Sequence, residues 1–261
     1  MGQTYYGGAD IGECLSTAYQ IKEGDIESWY NEWLKTANRV YKYAEDCMSN
    51  GHNVSARDAY LRATNYYQNG AAFYLDTNPS DPRIASTWEK GVESFRKAIG
   101  LFPNKVQTIE IPYDGTILPG YFFNASDEKY NSNSSNNNQI QVEKRKLPTL
   151  ILTTGLDGAQ EELYFLGVAA ALARGYNCLT FEGPGQGSVV RKQKLHFRAD
   201  WLNIRIMTVP AILSLVVAII GLATSLLPYV FQTAQAFSQS KQYFNITTTA
   251  STMSLWFATP D

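Results

Sequence analysis

Two short apolar segments separated by an amphipathic one, all within residues 147–187, constrain the fold of this chain more than any other feature. Residues 147–153 form an apolar run, which is typical of a parallel strand covered on both faces. Residues 161–174 have helical periodicity and end before Gly175, a residue common just after helices. Residues 176–181 form the second apolar segment. A strand, a helix and a strand in this order predict a parallel pair joined by a right-handed crossover.

The first 102 residues have helical periodicity. Asp25 is the predicted N-cap of a helix that runs toward Asn50 and is closed by Gly51. Ser55 is the predicted N-cap of a second helix, and a third covers residues 82–99. Large apolar side chains recur at three-, four- and seven-residue spacings, a pattern that favours a helical core over a ligand box: Trp29, Trp33, Val40, Ala44, Ala59, Ala63, Tyr66, Tyr67, Ile84, Trp88, Val92 and Phe95.

Strand periodicity begins after Pro103. Residues 105–113 alternate between two faces, Asp114 and Gly115 form a predicted hairpin turn, and residues 117–123 return as the second strand. Residues 124–146 are rich in Asn and Ser and too polar to bury, so they predict a disordered surface insertion.

Composition excludes several functions. A net charge of −2 offers no basic excess for nucleic acid. The three cysteines (Cys14, Cys47 and Cys178) form no disulfide framework and no metal-ligand pattern, so we expect a reducing compartment, no metal and no cofactor. The first residues lack the basic and apolar regions of a secretory signal, which predicts a protein that is not secreted.

The last 60 residues differ from the rest. Residues 206–231, from Ile206 to Phe231, contain 26 residues without a charge, which is more than the roughly 20 needed to span a bilayer. Basic residues precede this segment, so a span here would leave the front of the chain in the cytosol. We expect a membrane helix there, with a buried apolar core helix as the alternative.

Two motifs carry a family resemblance. GLDGAQEE (residues 155–162) follows the first buried strand, and FEGPGQGS (residues 181–188) includes the end of the second. Together, behind a helical region, they resemble one branch of the α/β-hydrolase superfamily. That branch includes the 2,6-dihydropseudooxynicotine-hydrolase-like C–C hydrolases, the fermentation-respiration-switch-like esterases and fungal hydrolases that shorten polyketides in secondary metabolism. The resemblance covers about residues 5–201.

The resemblance implies an α/β fold, a small-molecule substrate and a serine hydrolase that cleaves an ester, or a C–C bond next to a carbonyl, through an acyl-serine. The loop after the first strand would stabilise an oxyanion with backbone N–H groups, and the turn after the second would shape the pocket. The oxyanion-loop candidates are Gly155, Leu156 and Asp157; the pocket-turn candidates are Glu182, Gly183, Gly185 and Gly187.

The resemblance also implies three regions. Residues 1–102 would be a helical lid-type region, residues 103–201 a partial α/β-hydrolase domain, and residues 202–261 an apolar tail. The pair Glu161 and Glu162 is predicted to charge the start of a helix, since adjacent helical residues point in different directions. Residues 191–194 are predicted to be a solvated or membrane-flanking basic cluster.

The sequence departs from the family in its catalytic groups. It has no G-x-S-x-G segment, its two histidines (His52 and His196) do not follow a nucleophile and an acid in family order, and Ser188 lacks an elbow. These absences predict a truncated sheet with little or no activity alone. Both a frameshifted or mis-spliced gene and a natural pseudoenzyme would explain the missing catalytic groups. The rival from another class is a membrane-anchored binding protein, and a chain that does not fold stably alone is the third alternative.

Overall fold

The computed structural model describes residues 2–73, 78, 80–125, 147–155 and 158–198, together with the backbone of residues 254–258. Three predicted features lie outside these residues. They are most of the Asn-rich insertion (residues 126–146), the oxyanion-loop candidates Leu156 and Asp157, and the apolar segment from Ile206 to Phe231.

Four α-helices precede the sheet: α1 (Ile11–Ala18), α2 (Ile26–Ser49), α3 (Asn53–Asn65) and α4 (Arg83–Gly100). A 3₁₀ turn (Thr4–Tyr6) comes before α1, and a π-helical segment (Tyr66–Ala72) extends α3. The predicted cap of α2 is confirmed, since the Asp25 carboxylate accepts a hydrogen bond from the Ser28 backbone N–H at 2.9 Å.

The predicted start of α3 is wrong by three residues, since the N-cap position is His52 and not Ser55. The helix begins at Asn53, directly after His52, and Ser55 lies within its first turn. Gly51 adopts a φ of 74°, so the chain can reverse between α2 and α3 without an intervening loop. The close connection leaves no room for the longer linker that a Ser55 cap would require.

The sheet contains β1 (Val106–Tyr113), β2 (Thr116–Phe123), β3 (Thr149–Thr153), β4 (Asn177–Phe181) and β5 (Ser254–Ala258), in the order β1-β2-β4-β3-β5. The predicted hairpin is confirmed: Asp114 and Gly115 both have positive φ and connect antiparallel β1 and β2. The predicted parallel pairing of β3 with β4 is also confirmed. β5 pairs antiparallel with β3, and the sequence pattern did not predict this strand.

The segment between β3 and β4 is less regular than predicted. It contains a turn of π-helix (Tyr164–Val168) and the short helix α5 (Ala169–Leu172) instead of one helix over residues 161–174. The carboxylates of Glu161 and Glu162 accept hydrogen bonds from the hydroxyl groups of Tyr121 and Thr154. The π-helical turn begins only after these two residues. Gly175 ends the segment with a φ of 83°, as predicted.

The core lies on both faces of the sheet. One face packs on the helices through an aromatic and aliphatic cluster whose sheet members include Tyr121, Phe123, Leu150, Leu152 and Cys178 and whose helical members include Val40 and Phe95. The opposite face contains a smaller cluster of Ile109, Ile111, Phe122, Leu179 and Val189. Among the aromatic residues at helical spacing, Tyr66, Tyr67 and Phe95 are buried in the larger cluster and Trp33 packs against it, while Trp88 is buried in a further small cluster, as the periodicity indicated.

Two residues that the sequence assigned to the insertion, Asn124 and Ala125, are bonded to the sheet region. Asn124 donates a side-chain hydrogen bond to the Lys105 carbonyl, and the buried Ala125 N–H donates to Asn177 Oδ1 at 2.9 Å. Both residues therefore extend the hairpin toward β4. Across the described ranges, no helix is long and apolar enough to cross a membrane.

Candidate functional site

The two predicted loops lie at the same edge of the sheet, because β3 and β4 are parallel and each loop follows the carboxyl end of its strand. Gly155 follows β3. Glu182, Gly183, Gly185 and Gly187 all lie in the turn after β4. In open α/β sheets this edge is where ligands bind. The described candidates are therefore brought together at a position suited to chemistry.

Gln186 joins the two loops. Its side-chain Nε2 donates to the carbonyl oxygens of Thr154 at 2.5 Å and Gly155 at 3.1 Å, while its Oε1 accepts from the Gly183 N–H at 2.8 Å. The side chain is 6% exposed, so these bonds are protected from water. The Gly187 N–H also donates to the Gly158 carbonyl at 3.1 Å. The turn after β4 thus fixes the loop after β3.

Gln186 was not among the candidates that the sequence indicated. The available signal was its position: a long amide side chain between two glycines, directly after a buried strand. In a trans peptide the carbonyl and the following N–H point in opposite directions. Because the Thr154 carbonyl faces Gln186, the Gly155 N–H points away from it. Oxyanion stabilisation uses backbone N–H donors that are held in a fixed direction.

Glu182, one of the pocket-turn candidates, is fully buried. Its carboxylate accepts hydrogen bonds from the backbone N–H groups of Gln160 at 3.2 Å and Ser188 at 2.7 Å. It therefore joins the segment that follows β3 to the end of the turn after β4. Burial, reinforced by the negative charge of Glu161, raises the pKa of Glu182 to about 8. An added Cβ at Gly187 would lie 1.8 Å from Glu182 Oε1, which explains why glycine occupies that position.

Glu161 does not charge an exposed helix terminus, so that prediction is wrong. The side chain is fully buried and accepts hydrogen bonds from Gln68 Nε2 at 3.2 Å and from the Tyr121 hydroxyl at 3.1 Å. Burial raises the pKa of its carboxyl. Glu161 therefore connects the π-helical segment after α3 with strand β2, beneath the candidate loops.

Glu162 makes a separate set of contacts, as adjacent residues with different directions should. Its Oε1 accepts from the Thr154 hydroxyl at 2.8 Å, and its Oε2 accepts from Asn69 Nδ2 at 3.2 Å. A Cβ at Gly158 would lie 1.8 Å from Thr154 Oγ1, so the glycine permits this bond. The helical region and the loop after β3 are thus linked through one carboxylate.

The predicted basic cluster is packed on α4 instead of being solvated as a unit. The Arg191 guanidinium stacks on the Trp88 ring at 3.6 Å, and Lys192 forms an ion pair with Glu89. Trp88 Nε1 donates to Ser188 Oγ at 3.2 Å. The turn after β4 continues into a π-helical turn, Val189–Gln193. Through these contacts both turns pack on α4.

The described residues contain few groups for other chemistry. No cluster of three or more His, Cys, Asp or Glu side chains within them could hold a metal ion. The side chains of both histidines are exposed. His52 directly precedes α3, and His196 follows the Val189–Gln193 turn. Within the described residues, the site consists of Thr154 and Gly155 joined through Gln186 to the turn after β4, beside the buried carboxyl groups of Glu161 and Glu182.

The raised pKa values predict a stability that depends on pH. Unfolded Glu182 loses its proton near its ordinary value of 4.5, whereas the folded state keeps it to about 8. Between these values the folded state binds more protons, so deprotonation favours unfolding and stability falls as pH rises. We expect urea denaturation at pH 5, 6, 7 and 8 to give a steadily decreasing free energy of unfolding, with a smaller slope in Glu182→Gln. A flat or rising profile would contradict the burial of this acid.

Replacement of Gln186 by Glu should separate the two loops. A carboxylate cannot donate to the carbonyls of Thr154 and Gly155, which would be left unsatisfied beside a buried charge. We expect a loss of about 3 kcal/mol in the free energy of unfolding, measured by urea denaturation, with faster amide exchange at Gly183. The matched control is Gln20→Glu on the exposed residue after α1, which should change stability by less than about 0.5 kcal/mol. Equal losses of stability in Gln186→Glu and Gln20→Glu would show that the Gln186 side chain does not hold the two loops together.

Comparison with known proteins gives related sequences but no matching family model. The chain is 42% identical over 203 residues to hydrolase acrC of Aspergillus aculeatus, in a match that covers 76% of this chain and 46% of the relative. It is 40% identical over 202 residues to the 20-hydroxy-prefusarin hydrolase FUS2 of Gibberella moniliformis, covering 77% and 45%. It is 39% identical over 202 residues to the α/β-hydrolase psoB of Aspergillus fumigatus, covering 76% and 43%. The chain thus spans a little under half the length of these relatives.

The fold is also found in a solved structure. The crystal structure of 2,6-dihydroxy-pseudo-oxynicotine hydrolase matches with a TM-score of 0.61, covering 82% of this chain and 53% of that chain. At 22% sequence identity this likeness shows the fold alone. Together with the sequence matches, it confirms the resemblance predicted from residues 155–162 and 181–188.

Proposed function

We propose a function on the premise that about three quarters of this chain is related to the fungal α/β-hydrolases. The proposed reaction is hydrolysis of an ester, or of a C–C bond next to a carbonyl, in a small or polyketide-like metabolite through an acyl-serine intermediate. The relatives support hydrolysis, since their names include hydrolase and α/β-hydrolase. The bond cleaved and the substrate are our inference.

The observation that carries the proposal is the set of hydrogen bonds by which the Gln186 side chain joins the loop after β3 to the turn after β4. It holds the carbonyls of Thr154 and Gly155 toward the turn after β4, so the Gly155 N–H faces the other way. A fixed donor of this kind stabilises the oxyanion of a tetrahedral intermediate without reorganising during the reaction. In this proposal the chain supplies the oxyanion loop and the wall of the pocket, and the helical region covers them.

By itself this chain should have little or no hydrolase activity. The sequence contains no G-x-S-x-G segment, and Ser188, the serine beside the turn, accepts a hydrogen bond from Trp88 Nε1. Loss of a nucleophile leaves only the modest rate that binding and oxyanion stabilisation provide.

Activity-based labelling tests the expected inactivity of the isolated chain. The full chain would be incubated with a fluorophosphonate probe and with p-nitrophenyl butyrate, beside hydrolase acrC as a positive control. We expect no labelled serine and no ester hydrolysis by this chain. A labelled serine identified by mass spectrometry would support the hydrolase reaction and overturn the inactivity of the isolated chain.

A chimera tests the reaction itself. Residues 1–201 of this chain would be joined to the C-terminal half of acrC, the part in which the α/β-hydrolase resemblance predicts a nucleophile elbow. We expect ester hydrolysis and fluorophosphonate labelling, both reduced by Gln186→Glu. A folded chimera that hydrolyses esters equally well with and without Gln186→Glu would contradict the proposed role of the loop.

A membrane-anchored binding protein is the second candidate function. It rests on the uncharged segment from Ile206 to Phe231, which is long enough to span a bilayer. Membrane fractions of cells that express the full chain would be extracted with alkaline carbonate. Retention in the pellet would support this candidate, and a release that is complete would rule out a spanning anchor.

A further inference from the structure

A cavity of about 580 Å³ lies at the opposite edge of the sheet from the candidate loops. Val106, the first residue of β1, and Phe123, the last residue of β2, both line it, and Phe123 pairs with Cys178 near the start of β4. The candidate loops follow the other ends of β3 and β4, roughly 15 Å away at about 3.3 Å for each strand residue. The cavity is therefore separate from the proposed oxyanion loop.

Its volume is within the range of roughly 300–1,000 Å³ that is typical of small-molecule sites. Five segments converge on it: the first turn, α3, the connection between α4 and β1, the end of the hairpin, and the π-helical turn before α5. One side of the cavity packs on the core, through Leu61, Phe123 and Tyr164, and the first turn forms the exposed side.

Aromatic rings form much of the wall. Phe102 and Tyr164 pack with ring centroids 5.1 Å apart, and Tyr5 and Tyr6 extend the aromatic surface from the first turn. Tyr5 is 86% exposed and Tyr6 is 37% exposed, although an aromatic ring normally gains by burial. Flat, exposed rings beside a cavity provide stacking surfaces for another flat ring.

The polar groups in the cavity are electrically balanced. Arg57 uses Nε and Nη2 to bind Asp58 Oδ1, each at 2.8 Å. Within the described residues, neither Arg57 Nη1 nor Asp58 Oδ2 has a hydrogen-bond partner, and the Tyr164 hydroxyl has none. Because the ion pair is neutral overall, it offers the N–H donors of Arg57 Nη1 and the acceptor Asp58 Oδ2 rather than a net charge. A hydroxyl group, which can accept from Arg57 and donate to Asp58, matches this pair better than a carboxylate or an amine.

We propose that this cavity is a second ligand site, which binds a planar aromatic molecule carrying a hydroxyl group. The rings of Tyr5, Phe102 and Tyr164 stack on the ligand, and the Arg57–Asp58 pair with the Tyr164 hydroxyl binds its polar end. The site lies at the amino ends of β3 and β4, so its occupancy does not depend on the proposed hydrolase reaction.

Titration of the full chain with 2-naphthol tests the proposal. The probe is flat, uncharged and carries one hydroxyl, and binding would be followed by isothermal titration calorimetry and by saturation-transfer NMR. We expect saturable binding with a Kd of about 0.1–1 mM, which is typical of a ligand of this size. Cyclohexanol, which is not planar, and 2-naphthoate, which is an anion, should bind at least about fivefold more weakly.

Three variants locate the site. Tyr164→Phe keeps the ring and removes the hydroxyl, and Arg57→Met keeps the length of the side chain and removes the donor; each should weaken 2-naphthol about fivefold to tenfold. Tyr19→Phe is the matched control, because Tyr19 is 83% exposed and lies outside the cavity. Circular dichroism would confirm that each variant is folded, and Tyr164→Phe retains the packed ring if Arg57→Met is unstable.

Several outcomes would overturn the proposal. One is the absence of saturation up to about 5 mM 2-naphthol, a concentration at which even weak sites fill. Another is equal affinity in Tyr164→Phe and Tyr19→Phe, which would place the ligand elsewhere. Tighter binding of 2-naphthoate than of 2-naphthol would refute the assignment of a hydroxyl to the polar end.

Discussion

Replacement of Gly187 by Ala is expected to cause one of the largest losses of stability available at a single position. The added Cβ would lie 1.8 Å from Oε1 and 2.3 Å from Cδ of Glu182. The carboxylate cannot move aside, because it is buried and bonded to the backbone of Gln160 and Ser188. Gly187 also has a φ of 37°, which alanine adopts at a cost. We expect a decrease of about 4 kcal/mol in the free energy of unfolding, measured by urea denaturation.

Gly100→Ala is the matched control for this variant. Gly100 is the last residue of α4, and a Cβ there would meet no atom within 4 Å. Alanine favours helix over glycine, so we expect a change of about 1 kcal/mol or less, in the stabilising direction. If the two variants were equally stable, the close packing of the turn after β4 on Glu182 would be incorrect.

Phe95→Ala is expected to weaken the packing of the helical region on the sheet and so to lower the free energy of unfolding. Phe95 is 0% exposed and its ring lies 5.3 Å from Tyr121 and 6.2 Å from Tyr164, measured between centroids. Its removal leaves a cavity between α4 and the face of the sheet, because the rings around it are held by their own neighbours. We expect a loss of about 3–5 kcal/mol in the free energy of unfolding, measured by urea denaturation.

Two comparisons define this result. Phe95→Leu, which fills most of the space, should cost about half as much, and Tyr19→Ala on an exposed ring should change stability by less than about 0.5 kcal/mol. A Phe95→Ala protein as stable as Tyr19→Ala would show that α4 does not pack on the sheet through this residue.

The secondary structure was largely predictable because local patterns determine it. The Asp25 cap, the Asp114–Gly115 turn and the two apolar strands each depend on neighbouring residues or on a simple periodicity, and all are present. The start of α3 was missed because His52 precedes it without a side-chain cap, so the first helical residue carries no signal.

The site was less predictable because its contacts join distant parts of the chain. Glu161 reads as a surface acid at the start of a helix, yet its partner Gln68 is 93 residues earlier in the sequence. Gln186 bonds to carbonyls more than 30 residues away, and Arg191 stacks on a tryptophan in α4. A buried polar residue depends on partners that only the tertiary fold supplies, and no periodicity reports them.

The central position of β4 has a consequence for how the chain acquires its fold. β4 is the last strand of the described β1–β4 series to be synthesised, yet it lies between β2 and β3 and pairs with both. Before residue 177 emerges, the hairpin and β3 have no strand in common, so only the helices and the hairpin can form early. We therefore expect sheet assembly to be a late, slow phase of refolding, with a rate set by the closure of long chain segments and not by helix formation.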